Sequence, residues 1–259
     1  MIYVTGGCSF SSSDVPNFKT WNQLTANHFY QEGNINIHTG RDAYGNDLIS
    51  RSMMFSISHV RKEHPDKKIV AMVMWSGMSR KSILTDNDDD FINKNTMREV
   101  EQEYSKDILT GQNVQADGNV TEDIGYIYFT PAHAEMSKPI QRYYSCTNPV
   151  NDWQNTTYDM LALQHFCESM DIDLYWCTWN NTWDRTYHDR IKGAYSVNWL
   201  YDLLNHSNRI TDVGMAEWCA KTYKNWHVGD YIHPNQQSHI EFSNKVIIPF
   251  INKMTKERI

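Results

Sequence analysis

The chain has 259 residues, a formal net charge of −7 and an apolar fraction of 40%, with 9 Trp and 15 Tyr. That length suffices for one large α/β domain with a substantial core, in which large rings supply area that aliphatic side chains do not. The acidic balance, without a basic tail or stripe, argues against nucleic acid as a partner. No apolar run approaches the roughly 18 residues of a membrane helix, and the first residues form no leader, so the expected setting is cytoplasmic.

The five cysteines, Cys8, Cys146, Cys167, Cys177 and Cys219, are scattered and include no Cys-x-x-Cys. An odd, dispersed set fits reduced thiols rather than a disulfide frame or a zinc site.

In chain order, residues 2–8 read as a short buried strand broken by Gly6 and Gly7. Residues 18–30, with Phe18, Trp21, Leu24 and Phe29, carry helical spacing. Asn34 to His38 alternates as a second strand. Turn residues from Gly40 lead to Asn46 or Asp47, either of which could cap a helix running to about His64. The unbroken apolar run Ile69 to Trp75 predicts a central parallel strand buried on both faces.

From about 81 to 150 the pattern weakens, and the stretch reads as an insertion between core elements. Asp86, Asp88, Asp89 and Asp90 lack the glycine and late glutamate of a calcium loop, so a solvated loop is expected there. Glu99 to Leu109 is compatible with helix and Tyr126 to Phe129 with strand. Beyond the insertion the spacing predicts a helix over 155–170, a strand over 172–177 and a polar loop over 179–210. A short helix capped by Asp212 and a final helix over 236–253, with Pro249 near its end, complete the order. The alternation predicts one three-layer α/β/α domain over 1–259, built on a mostly parallel sheet.

Ser9 follows the first strand, at the sheet edge where open α/β folds place ligands. A nucleotide-binding turn there would need further glycines, and Ser9 and Ser12 occupy those places. With no Tyr-x-x-x-Lys in the chain, a nucleotide-dependent oxidoreductase is disfavoured. A serine nucleophile needs a base, and the base needs an acid that holds its tautomer. Asp230 and His233, three apart on one loop, can face one cleft, Asp230 orienting His233 and His233 facing Ser9. The bland alternatives are a serine-rich turn and a capped loop.

Taken together, these blocks resemble the SGNH (GDSL-type) serine hydrolases. Gly7-Cys8-Ser9-Phe10-Ser11 is similar to that family's nucleophile block, and Asp230-Tyr231-Ile232-His233-Pro234 to its last block. Gly45, in Tyr44-Gly45-Asn46-Asp47, stands where the family's second-block glycine does. The third block departs: Trp75-Ser76-Gly77-Met78-Ser79-Arg80 holds no Asn where the family has Gly-x-Asn. This loop is similar to that of phage-encoded members, which carry a Trp-Ser/Thr…Arg pattern.

The resemblance implies a flavodoxin-like sheet and acyl transfer at an ester, with Ser9, Asp230 and His233 catalytic. It implies that the N–H groups of Ser9 and Gly45 form the oxyanion hole, with Ser76, Ser79 or Arg80 as candidates for the missing third donor. Losing one such donor typically lowers turnover by about 10²–10³. Asn46, Trp75 and Trp179 are candidate substrate contacts, and Trp179, Trp183 and Tyr187 could stack on sugar rings. No metal or organic cofactor is implied. The expected partner is a small-molecule or polysaccharide ester, as for an esterase or carbohydrate O-deacetylase. The alternative is a phage structural or adhesion module that keeps the fold, joins other virion proteins and has weak or no catalysis.

Overall fold

The computed structural model describes residues 1–11, 18–30, 34–40, 44–85, 98–100, 107–109, 112–114, 125–129, 138–180, 198–228 and 233–256. Their elements in order are β1 (Ile2–Gly6), α1 (Trp21–Tyr30), β2 (Ile35–His38), α2 (Asn46–Glu63), β3 (Ile69–Trp75), β4 (Lys81–Thr85), β5 (Arg98–Val100), β6 (Asp107–Leu109), β7 (Gln112–Val114) and β8 (Gly125–Phe129). There follow α3 (Lys138–Cys146), α4 (Pro149–Ser169), β9 (Asp173–Thr178), α5 (Asn198–Tyr201), α6 (Met215–Thr222) and α7 (Gln236–Phe242). A π turn (Ser243–Ile247) then leads into α8 (Ile248–Lys256).

The core sheet has four strands in the order β2-β1-β3-β9, and every pair is parallel. Counting core strands alone, this is the 2-1-3-4 order of a flavodoxin-like, doubly wound sheet. Helices cover both faces: α2 packs on α4, and α1 gathers with α7 and the π turn. All seven positions of β3 are buried, as its unbroken apolar run predicts. Ile2 lies beside both Ile35 and Ile69, so β1 is a central strand and its carboxyl end opens into the middle of the sheet edge.

Several boundaries differ from the sequence expectation. Helix α1 starts at Trp21 rather than at residue 18, and Gln23 reaches back to the residue before it: the Thr20 N–H donates to Gln23 Oε1 at 2.9 Å, one half of a capping box. Helix α2 is capped by Gly45, and neither Asn46 nor Asp47 is the cap. Gly214, not Asp212, caps α6. The helix expected from Glu99 to Leu109 is replaced by β5 and β6, where cross-strand pairing outweighs local propensity. Here β4, β8 and β5 form an antiparallel sheet and β6 pairs with β7, both separate from the core sheet. The loop expected over 179–210 contains α5 and a 3-10 turn, and α3 lies at 138–146, where no element was expected. The π turn precedes Pro249, which has no N–H to return to the carbonyl of Lys245.

Candidate active site

At the carboxyl end of β1 the chain makes a tight turn, with the Ser11 N–H donating to the Cys8 carbonyl at 2.6 Å. Gly7 enters it at φ +156°, a conformation that L side chains rarely adopt, and a Cβ there would also run into Ser11. Ser11 is itself buried and fixed. Its Oγ accepts from the Trp21 indole N–H at 3.0 Å, and its carbonyl accepts from Thr20 Oγ1 at 3.1 Å. Phe10 anchors the turn in the core. Ser9, between Cys8 and Phe10, is half-buried.

His233 comes to the same place from the far end of the chain. Its carbonyl accepts from the Val228 N–H at 2.8 Å, and the Asn235 N–H donates to the Trp226 carbonyl at 2.8 Å, a short two-stranded brace. Asn235 then caps α7, accepting from the Ser238 N–H at 2.9 Å. Held on both sides in this way, His233 places Nε2 3.0 Å from Ser9 Oγ. A neutral imidazole with its proton on Nδ1 accepts the serine hydroxyl proton through Nε2. The Phe10 ring lies 5.2 Å from the His233 ring and 4.9 Å from Trp179. Asp230, the expected third member, lies outside the described residues, as do Ser12, Trp183, Tyr187 and the Asp86–Asp90 cluster.

A second histidine, His239, sits one helical turn beyond the α7 cap and is buried. Its Nδ1 accepts from the Trp21 N–H at 3.1 Å, so its proton is on Nε2. Burial first, and the proximity of His233 second, lower its pKa to about 3. It is therefore a neutral support joining α7 to the start of α1. No signal in the spacing distinguishes it from a surface histidine.

The second and third blocks meet each other. A Cβ on Gly45 would stand 2.8 Å from the Arg80 carbonyl oxygen, so only glycine admits this approach. Asn46 is buried. Its Oδ1 accepts from the Ser76 N–H at 2.7 Å, and its Nδ2 donates to the Ser76 carbonyl at 3.2 Å. It thus fixes the turn after β3, and its amide is spent on that turn. Trp75 is fully buried as the last residue of β3, opposite Thr178. The Ser76 N–H is engaged by Asn46, while its Oγ is buried with no partner. The Ser79 carbonyl accepts from Tyr144 Oη at 2.5 Å. Among the described residues no group of three or more His, Cys, Asp or Glu is placed to hold a metal.

The described residues thus define a doubly wound α/β protein with a serine–histidine pair at the carboxyl edge of its parallel sheet. No protein-family model matches the sequence, and no curated protein matches it. Among solved structures the chain is similar to the psychrotrophic esterase EstA from Pseudoalteromonas sp., in a form inhibited by monoethylphosphonate. The two share 8% identity over 98% of each chain, with a TM-score of 0.49.

Proposed function

We propose that this chain is a serine hydrolase that cleaves ester bonds by acyl transfer. The observation that carries the reading is the 3.0 Å approach of Ser9 Oγ to His233 Nε2 across 224 residues of sequence, at the carboxyl edge of the sheet, where open α/β folds place ligands. In this reading His233 takes the Ser9 proton as Oγ attacks the acyl carbonyl. The imidazolium then protonates the departing alcohol. Water enters, gives its proton to His233 and releases the acid, restoring Ser9. Asp230 would hold the Nδ1 proton of His233 and stabilise the imidazolium. The backbone N–H groups of Ser9 and Gly45 would carry the oxyanion. Short-chain esters and acetylated carbohydrates are the substrate classes that the sequence resemblance suggests.

The test is a fluorophosphonate probe together with hydrolysis of short aryl esters and acetylated sugars, on wild type, Ser9→Ala and His233→Ala. Labelling and turnover in the wild type that vanish in both variants support the reading. A well-folded wild type that neither labels nor turns over ester refutes it, and leaves a binding or structural module on this fold.

A further inference from the structure

Trp21 is fully buried at the start of α1, and its two N–H groups bond to opposite ends of the chain. The indole N–H donates to Ser11 Oγ at 3.0 Å, on the turn that carries Ser9. The backbone N–H donates to His239 Nδ1 at 3.1 Å, 218 residues away on α7. The first bond holds the nucleophile turn directly, because the Ser11 N–H closes that turn onto the Cys8 carbonyl at 2.6 Å. The second holds the helix that follows His233. The His239 N–H donates at 3.1 Å to the carbonyl of Asn235, which caps that helix two residues past His233. Two neighbours strengthen the same joint. Thr20 Oγ1 donates to the Ser11 carbonyl at 3.1 Å, and the Phe18 ring meets the His239 ring edge-on with centroids 5.3 Å apart.

One residue thus spans both halves of the Ser9–His233 pair. Trp21, Ser11 and His239 are all buried, so they act on the pair through the turn and the helix, away from substrate. An aromatic ring needs no N–H to pack in a core, and a buried N–H without an acceptor costs about 1–3 kcal/mol. The indole therefore adds a bond that packing alone does not call for, and that bond ends on the nucleophile turn.

We propose that Trp21 is a positioning residue for acyl transfer: it sets the approach of Ser9 to His233 by holding the nucleophile turn through Ser11 and the segment bearing His233 through His239. The proposal rests on the ester hydrolase reading for the reaction it serves. A misplacement of about 1 Å between reacting groups can cost about 10²-fold in rate, so the loss of either tie should be read in turnover.

The experiment measures kcat and KM for a short aryl ester on wild type, Trp21→Phe, Ser11→Ala and the double variant. Each single variant removes the indole bond and keeps the Trp21 backbone N–H. Each is expected to lower kcat at least about tenfold with KM within about twofold, a loss of alignment rather than of binding. The double variant should be little worse than the slower single one, because all three lack the same bond. Thr25→Val is the control: it takes the Thr25 hydroxyl from the Trp21 carbonyl at 2.7 Å and from Ser243 Oγ at 2.9 Å, and should lower Tm while leaving kcat unchanged. Should Trp21→Phe fail to fold, Ser11→Ala decides alone. An unchanged kcat in Ser11→Ala, a loss carried by KM, or an equal fall of kcat in Thr25→Val overturns the proposal. Histidine ring NMR, with the His233 signal assigned from His233→Ala, needs no turnover. A His233 signal that moves in Ser9→Ala and also in Ser11→Ala supports the positioning role even if no ester is cleaved, in which case only the hydrolase reading falls. A His233 signal unmoved in Ser11→Ala overturns the role whether or not esters are cleaved.

Discussion

Asn46 holds Ser76 by both faces of its amide, accepting the Ser76 N–H at 2.7 Å and donating to its carbonyl at 3.2 Å. The first residue of α2 thereby sets the position of the turn after β3. Asn46→Ala leaves a buried N–H and carbonyl without partners, which costs about 1–3 kcal/mol. At this chain length that lowers Tm by roughly 2–4 °C per kcal/mol. Thermal melting checks the stability. Ester turnover should fall as well, because the turn beside Gly45 is released.

Ser9→Ala and His233→Ala should each reduce ester turnover by about four orders of magnitude or more, as for other paired nucleophiles and bases. Ser9 is half-buried and its described hydrogen bond is to His233, so Ser9→Ala should melt within about 1 °C of wild type, a shift matching the small effect typical of such substitutions. The double variant should be little worse than either single one, which kinetics on all three will show.

Gly7→Ala tests the nucleophile turn without touching a reacting atom. At φ +156° an added Cβ meets both an unfavourable backbone conformation and Ser11. The loss of stability should exceed about 1 kcal/mol, measured by denaturant unfolding. Fluorophosphonate labelling should slow in parallel.

His239 makes stability depend on pH. Its folded-state pKa is about 3, below the usual histidine value, because burial disfavours the charge. Between these two values the unfolded chain binds a proton that the folded chain does not. Stability therefore falls as pH drops from about 6.5 towards 3, by up to ~1.4 kcal/mol per pH unit from this group. His239→Asn keeps an acceptor for the Trp21 N–H but cannot charge. Its unfolding free energy should fall less steeply with acid than that of wild type over this window, as urea titrations at pH 4, 5 and 6 would show.

The thiols give a further check. Cys167 and Cys219 are buried with their pKa values pushed up to about 12, Cys177 is raised by burial too, and Cys8 is buried. Only Cys146 is exposed. Ellman's reagent should titrate one thiol in the native protein and five after denaturation. Alkylation under native conditions should leave ester hydrolysis intact, which separates Ser9 from its neighbour Cys8.

The elements legible in the sequence were those whose burial is local or continuous. The run Ile69 to Trp75 is unmistakable because a strand covered on both faces has no polar positions to interrupt it. The Ser9 and His233 pairing was legible from residue chemistry and chain order, and the structure brings the two side chains together. What was not legible depends on distant partners. β5 forms only because β8 supplies its hydrogen bonds across a gap in sequence. The role of Asn46 depends on a backbone 30 residues away, and that of His239 on the Trp21 N–H, 218 residues away. The capping box Thr20 to Gln23 was present in the sequence and would have placed the start of α1.

The seam between α1 and α7 orders events in time. The Lys19 N–H donates to Gln236 Oε1 at 2.7 Å, Gln236 Nε2 returns to the Lys19 carbonyl at 2.8 Å, and Thr25 meets Ser243 at 2.9 Å. Closing a loop of this size costs on the order of 5 kcal/mol in chain entropy before any contact offsets it. On the ribosome, the segment bearing Ser9 emerges first and waits for the segment bearing His233. A nascent chain carrying only the early strands holds a serine with no base beside it. The seam therefore acts as a timer: Ser9 gains its histidine partner only once α7 has docked, late in synthesis, and not on a half-made chain.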